Sequence, residues 1–151
     1  MQAESEKSNS VVFERLVFIG APSNKVWEAI TNPDIVNQYY LAPLAGIALE
    51  LNGEIYYGMN DDRMIDGEIL EIEDGAKLVH SFTFTHRPDD PPSRVMYELT
   101  PTDKMTALRL RHDQFPSVNG MFADINEGWD VILSSMKTLL ETGKPLPWPT
   151  N

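Results

Sequence analysis

Apolar residues recur along this chain with two different periods, and the change between them divides it into parts. Residues 11–19 are nearly all apolar or β-branched, interrupted only by Glu14 and Arg15, and predict a first strand. At Ala21-Pro22-Ser23 the period lengthens, and Val26, Trp27 and Ile30 fall on one helical face. Pro22 is tolerated in that first turn, where its missing N–H has no partner to lose. Thr31-Asn32-Pro33 ends this helix and starts another, with Asn32 suited to cap it and Pro33 to its first position. The second helix is short and ends near Tyr39-Tyr40, ahead of Pro43.

Between Gly46 and Gln114 the period falls to two. Residues 46–51 and 54–59 predict strands joined by a tight Asn52-Gly53 turn, and 63–73 and 77–84 predict two more across Asp74-Gly75-Ala76. Val95, Tyr97 and Leu99 alternate with Arg94, Met96 and Glu98. Beyond a turn at Pro101-Thr102-Asp103, Thr106, Leu108, Leu110 and His112 alternate with Ala107, Arg109 and Arg111. Such strands need antiparallel neighbours with one dry face and one wet face. Residues 86–92, rich in proline and aspartate, predict an exposed loop.

A long helix closes the pattern. Ile125, Trp129, Ile132, Met136 and Leu139 recur at spacings of four and three, and Leu133 and Leu140 widen the stripe. Asp124 and Glu127 are spaced as a capping box, Gly143 ends the helix and Pro145 forbids its return. Gly128, beside Trp129, is expected to let this helix approach the sheet closely. The expected organisation is a flexible N-terminus over 1–10, one domain over 11–143, and an extended proline-rich tail over 144–151 around Trp148.

Composition narrows the function classes. A chain of 151 residues with 42% hydrophobic content can bury a sizeable core. Its 12 Lys plus Arg against 23 Asp plus Glu give a formal charge of −11, which phosphate backbones and anionic headgroups repel. Nucleic acid is therefore not an expected partner. The absence of cysteine excludes disulfides, thiolate nucleophiles and thiolate metal sites. No apolar run is long enough for a membrane span, and residues 1–10 carry no secretory signal, so membrane insertion is not expected and a cytoplasmic location is.

The ordered set of Ala-Pro-Ser-Asn-Lys-Val-Trp-Glu-Ala-Ile-Thr-Asn-Pro at 21–33, Tyr39-Tyr40, Gly67 to Ile72, Lys77-Leu78-Val79, Thr106 to His112 and Gly128-Trp129 resembles the START-like superfamily (SRPBCC, birch-pollen-allergen-like). Within it the chain is most similar to the activator of heat-shock-protein-90 ATPase homologue family, over about residues 11–142. The resemblance implies an α+β helix-grip fold. In such a fold a curved antiparallel sheet wraps a long C-terminal helix, two short helices follow the first strand, and a hydrophobic cavity lies between sheet and last helix. The family often has tryptophan where Tyr39 or Tyr40 stands. Homodimers are common for such domains.

Candidate chemistry is sparse. His80, His86 and His112 are the only histidines, and none has a second ligand at metal-binding spacing, so no metal and no cofactor are expected. His86 lies in the proline loop, and His112 follows the apolar alternation of Leu108 and Leu110. The adjacent pairs Asp61-Asp62 and Asp89-Asp90 cannot converge, because neighbours on an extended chain face opposite ways. Glu71 would be a buried acid if its strand turned it inward, although an exposed position costs less. Tyr39, Tyr40, Tyr57, Phe82, Phe84, Tyr97, His112, Trp129 and Met136 are the candidate lining of a ligand cavity. The leading expectation is a non-catalytic binder or carrier of a small hydrophobic or amphipathic molecule. The alternatives are an enzyme of cyclase or small-hydrolase type, with His112 and Tyr97 as acid and base, and a stress-response or chaperone-regulating interaction module.

Overall fold

The computed structural model describes residues 12–59, 62–115 and 121–147, with the backbone alone for 121–127. Seven strands and three helices follow one another as β1 (Phe13–Ile19), α1 (Ser23–Thr31), α2 (Pro33–Tyr39), β2 (Leu44–Ile47), β3 (Glu54–Met59), β4 (Asp62–Glu73), β5 (Lys77–Phe84), β6 (Ser93–Pro101), β7 (Thr106–Asp113) and α3 (Met121–Thr142). The strands form one antiparallel sheet in the order β1-β7-β6-β5-β4-β3-β2. This is the α+β helix-grip architecture that the sequence implied. Among the described residues, no helix is long and apolar enough to cross a membrane.

The two short helices start as the sequence indicated, with a shift of one residue. Pro22 is the N-cap of α1, and its carbonyl accepts from the Val26 N–H at 3.2 Å. Asn32 caps α2 through its side chain, which accepts from the Asp34 N–H at 2.9 Å. Val26, Trp27, Ala29 and Ile30 bury one face of α1. The Tyr39 hydroxyl donates to the Ala29 carbonyl at 2.6 Å and locks the two helices together.

Burial alternates along the central strands as the period of two requires. Ser93, Val95, Tyr97 and Leu99 of β6, and Thr106, Leu108, Leu110 and His112 of β7, point to the inner face. The outer face carries ion pairs instead. Asp113 takes both Arg94, at 2.8 Å, and Arg111, at 2.9 Å.

Three departures from the sequence reading have physical causes. First, the strand that precedes the Asn52-Gly53 turn is Leu44–Ile47, not 46–51. Ala48 to Gly53 form a loop in which Asn52 takes a left-handed φ of 67° and donates to the Ile69 carbonyl at 2.8 Å. Leu49 and Leu51 alternate like strand residues but lie exposed in that loop. Second, the β4–β5 register shifts between Ile69 and Glu71, so Leu70 is an inserted residue. A regular strand would turn Glu71 inward with Ile69. The bulge is what turns it outward, to the exposed position that the sequence reading favoured on grounds of cost, and there it pairs with Lys77 at 3.1 Å.

Third, α3 is already helical at Met121, so Asp124 lies within its first turn and not at its boundary. The side chains of Asp124, Ile125 and Glu127 fall outside the described residues, as do Val11, Asp61 and Trp148. The helix ends as expected: Gly143, at a φ of 89°, donates its N–H to the Leu139 carbonyl at 2.8 Å. The tail then folds back, and the Leu146 N–H reaches the Ser135 hydroxyl at 3.1 Å.

α3 also closes the sheet edge at β1. Lys137 donates to the Phe18 carbonyl at 2.7 Å, Glu141 accepts from the Gly20 N–H at 2.6 Å, and Arg15 meets Asp130 at 3.0 Å. Gly128 does not serve the close approach expected of it, since a β-carbon built there meets no described atom within 4 Å. At Gly53 a β-carbon would collide with the Ala48 carbonyl oxygen. Gly128→Ala should accordingly raise stability by about 0.5–1 kcal/mol through helix propensity alone. Gly53→Ala should lower it by about 1–3 kcal/mol, because backbone has to move. Urea denaturation of both variants checks this pair of opposite signs.

Candidate functional site

The inner face of the sheet and the buried side of α3 meet over aromatic rings drawn from both. The β5 alternation turns Leu78, His80, Phe82 and Phe84 inward, β6 adds Tyr97, β7 adds His112 and β3 adds Tyr57. Tyr39 and Tyr40 enter at the C-terminal end of α2, and Trp129 comes from α3. Tyr40 stacks on Tyr57 with centroids 4.7 Å apart and meets Trp129 edge-on at 6.1 Å. Tyr97 stands 6.3 Å from Trp129 and 6.2 Å from His80.

A hydrogen-bond relay runs through the middle of this group. The Trp129 indole N–H can only donate, and it meets His112 Nδ1 at 2.9 Å. Nδ1 is therefore the acceptor, and the proton of the neutral ring sits on Nε2. His112 Nε2 lies 2.7 Å from the Ser93 hydroxyl, which donates in turn to the Phe82 carbonyl at 3.1 Å. Every donor in this relay has an acceptor, and the tautomer follows from the two ends. His112 is fully buried between Phe82, at 5.0 Å, and Phe115, at 4.4 Å. Loss of hydration, helped by the neighbouring His80, lowers its pKa to about 3 in spite of Asp113.

His80 is the second buried imidazole, 1% exposed. Its Nδ1 lies 2.8 Å from the Ser81 carbonyl, and its Nε2 has no partner among the described residues. Burial lowers its pKa to about 4, against a smaller opposite effect of the Ser81 hydrogen bond. The Tyr40 hydroxyl is likewise buried without a partner. Burial holds the phenols of Tyr39, Tyr40 and Tyr97 well above their ordinary pKa, and the nearby phenols add to it. The group is therefore neutral across physiological pH.

All nine candidate lining residues are buried in the core. Tyr39, Tyr40, Tyr57, Tyr97, His112 and Trp129 are joined by ring contacts through Tyr40 and Trp129, and Phe82 joins them through His112. Phe84 packs on Phe82 at 5.1 Å and on the exposed His86 at 5.0 Å. Met136 is fully buried on α3. Both nitrogens of His112 are engaged within the protein, which leaves it no free nitrogen for acid–base work. Asp62 and Asp89 are exposed and Glu71 is on the outer face, so no carboxylate dyad forms from them. No three His, Asp or Glu side chains gather as a metal site among the described residues.

Sequence reasoning passed over His80 and Ser93. The alternation of Leu78, His80, Phe82 and Phe84 places His80 inside as firmly as it places the phenylalanines. Ser93 heads the inward set of β6.

Comparison with known proteins places the fold. The family model described as Activator of Hsp90 ATPase homolog 1-like protein matches residues 20–141. CalU16 from Micromonospora echinospora superposes with a TM-score of 0.73 at 24% identity, over 90% of this chain and 77% of that one. The Aha1 dimer from Colwellia psychrerythraea gives a TM-score of 0.74 at 20% identity, over 89% of this chain and 98% of that one. PFC0360w, an HSP90 activator from Plasmodium falciparum, gives 0.72 at 22%, over 89% and 97%. No curated protein matches.

Two outcomes follow from the relay and the buried imidazoles. Trp129→Ala should cost about 3–5 kcal/mol by emptying a large buried site. Trp129→Phe should cost about 1–3 kcal/mol by leaving His112 Nδ1 without its donor. Chemical denaturation distinguishes the two losses. Both histidines are neutral in the fold, with pKa values of about 4 and about 3 against 6.5 for the free side chain. Below pH 6.5 the unfolded chain takes up protons that the fold refuses. Stability should thus be complete above pH 6.5 and fall by about 1.4 kcal/mol per pH unit for each histidine down to about pH 4. Urea denaturation across this range should show a shallower slope, by about one proton, for His80→Phe.

Proposed function

We propose that this chain, which belongs to the Activator of Hsp90 ATPase homolog 1-like family, binds or carries a small hydrophobic or amphipathic molecule between the inner face of its sheet and α3. The observation that carries this reading is the Tyr40 hydroxyl, buried within the aromatic group and without a partner. A buried hydroxyl left unpaired costs about 1–3 kcal/mol, so a core built only for packing would favour phenylalanine there. A hydroxyl kept at that cost is suited to a guest that supplies the missing partner. The surrounding rings of Tyr57, Tyr97 and Trp129 offer flat apolar area to the rest of such a guest.

Native mass spectrometry of the protein purified from its own host tests the proposal. The expected outcome is a retained small molecule, with a thermal shift from members of a lipid and aromatic library. Repeated recovery of empty protein, with no compound in that library raising Tm, overturns it.

A further inference from the structure

We infer that His80 selects the polar group of that guest: the interior takes a neutral molecule bearing a hydrogen-bond donor, an alcohol or phenol on an apolar skeleton, and discriminates against carboxylates. The inference rests on the binding reading above and adds the direction of its polar contact. The Ser81 carbonyl oxygen 2.8 Å from His80 Nδ1 can only accept, so Nδ1 carries the ring proton. Nε2 is then a bare acceptor, 99% buried with its residue and without a partner. Whatever meets it has to donate.

Two donors of the group are committed elsewhere. Trp129 gives its N–H to His112, and the Ser93 hydroxyl donates to the Phe82 carbonyl. Ring contacts connect the two open groups: Tyr97 faces His80 at 6.2 Å and meets Trp129 at 6.3 Å, and Trp129 meets Tyr40 at 6.1 Å. A ligand hydroxyl can donate to an imidazole nitrogen and accept from a phenol, so both open groups suit one kind of ligand chemistry.

An anion meets the opposite situation. The buried polar side chains among the described residues are Thr31, His80, Ser93, Thr106, His112, Asp113 and Ser135, with no lysine or arginine. A carboxylate would lose its hydration and gain no counter-charge. It could find one only by protonating His80, which burial opposes.

Three probes sharing one ring system separate these cases: 1-naphthol, 1-methoxynaphthalene and 1-naphthoate, each titrated at pH 7.5 by calorimetry. 1-Naphthol should bind about tenfold more tightly than the ether, which corresponds to one hydrogen bond of about 1.4 kcal/mol. 1-Naphthoate should bind more weakly than either. His80→Phe should bring the naphthol-to-ether ratio close to one. In the wild-type protein the His80 Nε2 resonance in a ¹⁵N spectrum should move with 1-naphthol and stay with the ether, a readout that holds even if the variant fails to fold. Equal affinities in the wild type, an unmoved His80 resonance, or preference for 1-naphthoate overturns the inference and leaves the binding reading standing. If no probe binds, the molecule retained in native mass spectra decides: a hydroxyl donor supports the assignment, a carboxylate overturns it, and empty protein removes the binding reading beneath it.

Discussion

One N–H donated from Trp129 to His112 joins the closing helix to β7, the strand next to the β1 edge of the sheet. The contact is directional as well as apolar, because an indole that slid along the sheet would leave an imidazole nitrogen unpaired in a dry interior. His112 then passes the constraint to Ser93 on β6, and Ser93 to the Phe82 carbonyl on β5. Three neighbouring strands and one helix are thus held in register by groups that are neutral and fully paired. The apolar stripe of α3 supplies most of the burial, and the relay decides where along the sheet that stripe sits.

The edges of this arrangement are closed by charge, not by more core. β1 would present unpaired backbone groups, and α3 meets two of them, at Phe18 and just beyond the strand at Gly20, with Lys137 and Glu141, while the Arg15–Asp130 side-chain pair ties the helix to the strand. These contacts are largely exposed, so each adds little stability by itself. Their value is geometric, because they set the angle at which the helix leaves the sheet edge. On the outer face Arg94, Arg111 and Asp113 form a similar network away from the neutral interior. An acidic chain thereby keeps its ionised groups outside while His80, His112 and four tyrosines remain uncharged within.

The family membership and the fold agree with each other, and neither names a ligand. The chemistry available inside this member comes from its own residues: phenols, two neutral imidazoles and an indole, with no buried cation among the described residues. That set discriminates by hydrogen-bond direction more than by charge.

Sequence alone determined the elements whose periods are strong. The β5 and β3 bounds, the Asn32 cap, the inward residues of β6 and β7 and the Gly143 stop were all legible, because each depends on local geometry or on a simple alternation. The aromatic residues of the interior were legible for the same reason. Tertiary structure decided what period cannot encode. The Leu70 bulge reversed the face of Glu71, since an inserted residue changes the phase of a strand without changing its composition. Leu49 and Leu51 became loop because pairing began at Leu44, where the backbone N–H meets the Asn37 side chain at 2.8 Å. Gly128 proved free of the sheet, a matter of which side of the helix faces it. Above all, His112 became a paired structural group and His80 an open acceptor through partners 17 residues away in one case and adjacent in the other. Two histidines on like alternations read alike in sequence, and only the atoms that surround each ring tell them apart.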